Sequence, residues 1–164
     1  MIGFTQEYSF GLESFFDKAD YSKKLEYLKE TSSNMSFLSE SEKNKLVNDW
    51  MNTTEIYLGK NNNPEELISI KKIIDEPSEE ILEFLLEHLN EEIAKIWDVE
   101  LEIIDSGMNN LRKKHPYLYI RKKVTLPSGS SYFSDYYMIK INNNSYQIDV
   151  TSKKGILLDK IILN

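Results

Sequence analysis

The residues most capable of chemistry in this chain gather around one histidine. His88 stands in Glu87-His88-Leu89-Asn90-Glu91-Glu92. On a helix, Glu91 and Glu92 lie three and four residues on, within reach of the imidazole. A carboxylate beside an imidazole can orient a general base or supply part of a metal site. One histidine is a thin ligand set, however, and the order is not the Glu-x-x-His of two-metal helical bundles. The spacing fits a surface ion pair better. His115 precedes Pro116, which favours extended backbone, and reads as a strand-entry residue. Ser128-Gly129-Ser130-Ser131 falls in a hairpin turn and not between a strand and a helix, so it is no nucleophile elbow. There is no G-x-G-x-x-G, no Walker sequence and no cysteine, hence no nucleotide cradle, thiolate nucleophile or zinc-thiolate site. The expectation is a non-enzymatic protein with no catalytic residue, no metal and no cofactor.

Charge says more than motif. The net charge is -7, but it is segregated. Residues 1–110 carry 24 acids against 10 bases, and residues 111–164 carry 10 bases against three acids. The densest acidic segment runs from Glu65 to Asp105, with Lys71, Lys72 and Lys95 as its bases. Within it Glu79, Glu83, Glu87 and Glu91 recur every four residues, which on a helix makes a ribbon of like charge. Acidic surfaces speed association with basic partners. These four glutamates are the expected partner-facing residues, and the expected partner is a basic protein. The most specific form of that expectation is a bacterial immunity or antitoxin-like inhibitor that neutralises a basic toxin.

A second set lies in the basic, tyrosine-rich stretch 112–141. Tyr119, Arg121 and Lys123 alternate onto one strand face, with Gln147 placed near them. Aromatic residues interleaved with bases can stack nucleobases and hold phosphates. The net acidity opposes long-range attraction to phosphate, and no RNP-like motif accompanies them, so nucleic acid is not the expected partner.

The elements that must position these residues change character near residue 110. Asp20 reads as the N-cap of a helix over 21–31. Ser39-Glu40-Ser41-Glu42 is a capping box opening a helix to about Leu58, closed by Gly59. Asn63-Pro64 starts another, with Leu67, Ile70, Ile73 and Ile74 as its stripe. Pro77 opens the strongest, in which Leu82, Leu85, Leu86, Leu89, Ile93, Ile96 and Trp97 keep spacings of three and four. Thereafter apolar and polar residues alternate at 99–104, 118–126, 131–141, 145–151 and 156–163, between turns such as Pro127-Ser128-Gly129-Ser130 and Asn142-Asn143-Asn144.

Helices first and strands after imply an α+β fold, with N-terminal helices on a C-terminal antiparallel meander. One domain spans 1–164, mainly helical over 1–98 and mainly sheet over 99–164. Helices laid across a curved sheet, as in cystatin-like or NTF2-like cones, suit this order as an analogy of fold alone. Leu85, Leu89, Ile93 and Trp97 are expected to pack on one inward sheet face with Ile120 and Ile148. A pocket between helices and sheet would make the chain a small-ligand-binding domain or enzyme instead. No basic n-region leads into an apolar h-region, and no apolar run approaches the roughly 20 residues of a membrane span, so a cytoplasmic protein with no membrane partner is expected.

Overall fold

The computed structural model describes residues 16–33, 35–59, 63–97 and 99–153, with 63–65 and 89–97 as backbone only. Among them run β1 (Phe16–Lys18), α1 (Tyr21–Ser33), α2 (Glu40–Thr53), β2 (Thr54–Gly59), β3 (Asn63–Ile73), α3 (Glu79–Trp97), β4 (Glu100–Leu111), β5 (His115–Thr125), β6 (Ser131–Ile141) and β7 (Asn144–Ser152). The seven strands form one sheet in the order β1-β2-β3-β7-β6-β5-β4. Every neighbouring pair is antiparallel. The fold is α+β, with helices on an antiparallel sheet.

The helix starts obey their caps. Asp20 Oδ1 accepts the Lys23 amide at 2.9 Å, Ser39 Oγ the Glu42 amide at 3.1 Å, and Ser78 Oγ the Ile81 amide at 3.2 Å. Each bond satisfies an N–H that the first helical turn leaves without a partner. The β4–β5 hairpin is less orthodox. Arg112 and Lys113 sit at φ 51° and 61°, where a two-residue turn normally takes Asn and Gly. The Lys114 amide closes the turn on Leu111 O at 3.1 Å.

The first 98 residues hold more sheet than their periodicity implies. The capping-box helix stops at Thr53, and residues 54–59 are strand β2. The expected helix after Pro64 is strand β3. Thr54, Ile56 and Tyr57 are β-branched or aromatic and suit a strand. In β3 both faces are covered: Leu67, Ile68 and Ile70 are at most 7% exposed. Two-sided burial removes the alternation that marks a strand, and the remaining spacing imitates a helical stripe. The meander is also split. Strands β1-β2-β3 and β4-β5-β6-β7 are each sequential, and β3 pairs with β7 to join them. The expected strand 156–163 lies outside the described residues. Phe16 begins β1 and is buried.

Register sorts the sheet into two faces, because directly paired residues point the same way. On the near face, Leu118 and Ile120 of β5 meet Met138 and Tyr136 of β6. Leu82 of α3 joins them, with Ile81, Leu85 and Leu86 packed alongside. At the other end Leu28 of α1 and Val47 of α2 pack on Ile56 and Leu67. On the far face lie Tyr137, Ile139, Tyr146, Ile148, Val150, Ile68 and Ile70. Leu85 thus meets Ile120 as expected, whereas Ile148 belongs to the opposite face. Tyr146, Ile148 and Val150 do share one face, but β6 puts them back to back with Leu118 and Ile120. The side chains of Leu89, Ile93 and Trp97 lie outside the described ones.

The near face is not apolar throughout. Between the two helical covers its middle carries Lys122, Ser134, Thr151, Asp149, Gln147, Ser69 and Lys71. Lys122 is only 6% exposed, and burial pushes its amine below the ordinary value against the opposing pull of Asp149 and Asp135. A charge taken out of water without hydrogen bonds destabilises the fold. Lys122→Met, which keeps the stem and removes the charge, is therefore expected to stabilise the chain by about 1–2 kcal/mol at neutral pH. The lowered folded value fixes the sign of the pH dependence. The native-type chain gains stability as pH rises from the lowered value to the unfolded value of 10.5, so the advantage of Met shrinks across that window. Urea denaturation at neutral and alkaline pH checks both the sign and the trend.

Candidate functional site

Two surfaces collect the residues singled out by sequence. The first is the outer face of α3. Its apolar side points at the sheet through Ile81, Leu82, Leu85 and Leu86, so helical geometry turns Glu79, Glu80, Glu83, Phe84, Glu87 and His88 outward, and all six are exposed. Glu79, Glu83 and Glu87 form one column, and Glu80, Phe84 and His88 the next. The side chain of Glu91 lies outside the described ones. Asp75 and Glu76 extend the acidity before the helix, and Glu76 holds Lys140 at 2.7 Å.

Phe84 was invisible as a site residue in the sequence, yet it is the most informative one on this face. A phenylalanine on an amphipathic helix normally joins the core; this one is 58% exposed. It is also ordered by its neighbour. The His88 ring stacks on it with centroids 4.2 Å apart and planes 24° off parallel. His88 Nδ1 lies 2.8 Å from Phe84 O. A carbonyl can only accept, so Nδ1 carries the proton. The imidazole is therefore bonded back one helical turn, while the side chains of Glu91 and Glu92, the expected partners, lie outside the described ones. A signal was available in the i, i+4 spacing of Phe84 and His88.

The second surface is a groove of about 490 Å³ on the far face, lined by β4, β5 and β6. Tyr117, Tyr119, Arg121, Asp105, Asp135 and Tyr137 line it. Tyr119, Arg121 and Lys123 do share this face, as their alternation implies. Gln147 does not: it pairs with Met138 on the near face, because β7 enters the sheet in the other phase. The groove's charges are already matched. Arg121 donates two hydrogen bonds to Asp135, from Nε at 2.8 Å and from Nη2 at 3.0 Å. The Tyr119 hydroxyl donates to Asp105 Oδ2 at 3.1 Å. Asp135 raises the Arg121 guanidinium, and burial beside that carboxylate pushes the Tyr137 phenol up to about 12. Arg121 also lies 5.8 Å from the Phe133 ring centroid. The guanidinium that would receive a phosphate is thus occupied, and two carboxylates face the same space.

Comparison with protein-family models and with curated proteins gives no match. Among solved structures the chain is similar to the solution structure of cyanobacterial PsbP (CyanoP) from Synechocystis sp. PCC 6803. The identity is 7% and the TM-score 0.47, over 61% of this chain and 62% of that one. Among the described residues, no helix is long and apolar enough to cross a membrane.

Proposed function

We propose that this chain is a non-enzymatic protein-binding module that docks a basic partner on the outer face of α3. The observation that carries the reading is Phe84: an aromatic ring, 58% exposed and held by His88, beside a row of exposed glutamates. Interfaces concentrate their energy in aromatic anchors ringed by polar groups. A ring already fixed loses little freedom on binding. The glutamates supply long-range attraction for a basic surface, and no base between Pro77 and Ala94 interrupts them. An immunity-type inhibitor of a basic toxin is the narrower form of this reading, and a cytoplasmic setting goes with it.

The two parts of the surface act on different rates. Glu83→Lys with Glu87→Lys is expected to slow association about tenfold at low salt, and about 0.5 M salt should slow the native-type chain similarly. Phe84→Ala should leave association nearly unchanged and speed dissociation about 30-fold, the loss of one anchor of about 2 kcal/mol. Stopped-flow or surface-resonance kinetics with the partner isolated on the native-type chain reads both. Association indifferent to charge reversal and to salt would remove the electrostatic basis.

A second reading rests on the tyrosine groove, whose volume is that of a small-molecule site. The cystatin-like or NTF2-like alternative expected a pocket between helices and sheet; this groove instead lies on the sheet face opposite α3, so the reading keeps the ligand class and changes its place.

A further inference from the structure

The strip between the two helical covers contains donors that no described residue uses. Lys122 of β5 faces Ser134 of β6, and Ser134 faces Thr151 of β7, in one cross-strand row. Lys122 is 6% exposed, and its ammonium makes neither a hydrogen bond nor an ion pair with any described residue. The nearest carboxylate on this face, Asp149, is instead bonded by Gln147 Nε2 at 2.9 Å. The hydroxyls of Ser134 and Thr151 are only half-buried, so the row opens to solvent at its β6–β7 end. The phenols of Tyr132 and Tyr136 flank it on the same face, and Tyr27 of α1 stands close enough for Asp149 and Tyr132 to act on its phenol. Buried ammonium groups are almost always paired, because desolvation without a partner is costly. An ammonium and two hydroxyls in line are a complementary set for an oxyanion.

We propose that this row binds a small molecule bearing an oxyanion, phosphate or carboxylate, with Lys122 as the countercharge and Ser134 and Thr151 as the orienting donors. The site is independent of the outer surface of α3, because it is built on β5, β6 and β7 and uses no residue of that helix. Burial also pushes the Asp149 carboxyl upward, which lowers its repulsion of a neighbouring anion. Among the described residues Asp149 is the rival for Lys122 on this face, since the two attract through space without touching, whereas Asp135, which also attracts it, is bonded to Arg121 on the other face.

The test is thermal unfolding of the full chain in rising inorganic phosphate or acetate, with chloride at matched ionic strength as the reference. The expected result is a midpoint that rises and saturates with at least one of the two anions, as linkage to a folded-state site requires. Phosphate acting alone would assign a phosphate-bearing ligand, and acetate acting alone a carboxylate. Lys122→Met, which is expected to fold, should weaken the apparent affinity at least tenfold, and Ser134→Ala with Thr151→Val about threefold. The Lys122 Cε resonance should shift over the same concentration range. A linear, unsaturating rise that is equal in Lys122→Met would be a general salt effect and would overturn the proposal. So would an unmoved Lys122 resonance, or a loss of stability in Asp149→Asn with no anion response, which would make Asp149 the true partner.

Discussion

Arg121→Met is expected to destabilise the chain by about 3–5 kcal/mol, the cost of leaving one partner of a buried pair alone. The side chain of Asp135 is 2% exposed and sits in the sheet centre, while that of Arg121 is 28% exposed at the groove. The two residues face each other directly across β5 and β6, so their bidentate contact needs no backbone adjustment. Removing the guanidinium strips two charge-assisted hydrogen bonds from a carboxylate that is almost wholly buried. The reverse change, Asp135→Leu, strands a cation that is already near solvent and should cost less. Replacing both, Arg121→Met with Asp135→Leu, should recover most of the loss, because an apolar pair of similar volume avoids the desolvation altogether. Urea denaturation of the four chains closes this double-mutant cycle. A loss below about 1 kcal/mol for Arg121→Met would place the pair with ordinary surface ion pairs.

Truncation on either side of the sheet should be equally severe. Leu118→Ala and Ile148→Ala remove side chains that are each 0% exposed, and each is expected to cost about 2–5 kcal/mol. Their sum reaches the roughly 5–15 kcal/mol of a whole domain, so the double truncation should not fold. The milder pair Ile120→Val and Ile148→Val, at about 0.5–1.5 kcal/mol each, tests the layout. Ile120 packs with Leu82 and Tyr136 under α3, whereas Ile148 packs with Tyr137 and Ile70 on the far side. With no shared neighbours the two losses should add within about 0.5 kcal/mol. A larger coupling would put both isoleucines in one core.

The contrast between those isoleucines shows what could be read from sequence. Alternation identified Leu118 with Ile120, and Tyr146 with Ile148 and Val150, as sets that share a face. It carried no information on the phase between sets, which is fixed only by pairing across β6. The caps at Asp20 and Ser39 were legible because they are local: each binds an amide three residues on. The start of α3 was read at Pro77, whereas Ser78 is its cap and the helix begins at Glu79. Strands β2 and β3 were not, because burial on both faces erased their alternation. The outward direction of Glu79, Glu83 and Glu87 followed from the leucine stripe of α3. The exposure of Phe84 did not, since a lone phenylalanine on such a helix is ordinarily core. The basic tyrosine stretch proved to serve several ends: a hairpin tip at Arg112–Lys114, a matched pair at Arg121, and a buried cation at Lys122. Composition cannot divide those roles, because they depend on which strand lies opposite.

The most direct test of the protein-binding reading is a contact map of α3. The isotope-labelled full chain would be titrated with a synthetic peptide alternating Lys or Arg with Leu, and its amide resonances followed. The account predicts that shifts concentrate at Glu79–His88, largest around Phe84. They should fade at about 0.5 M salt, as expected for exposed charges, and be lost in Phe84→Ala and in the Glu83→Lys, Glu87→Lys chain. Shifts centred on Tyr119 and Tyr137, or a response unaltered by those substitutions, would contradict it.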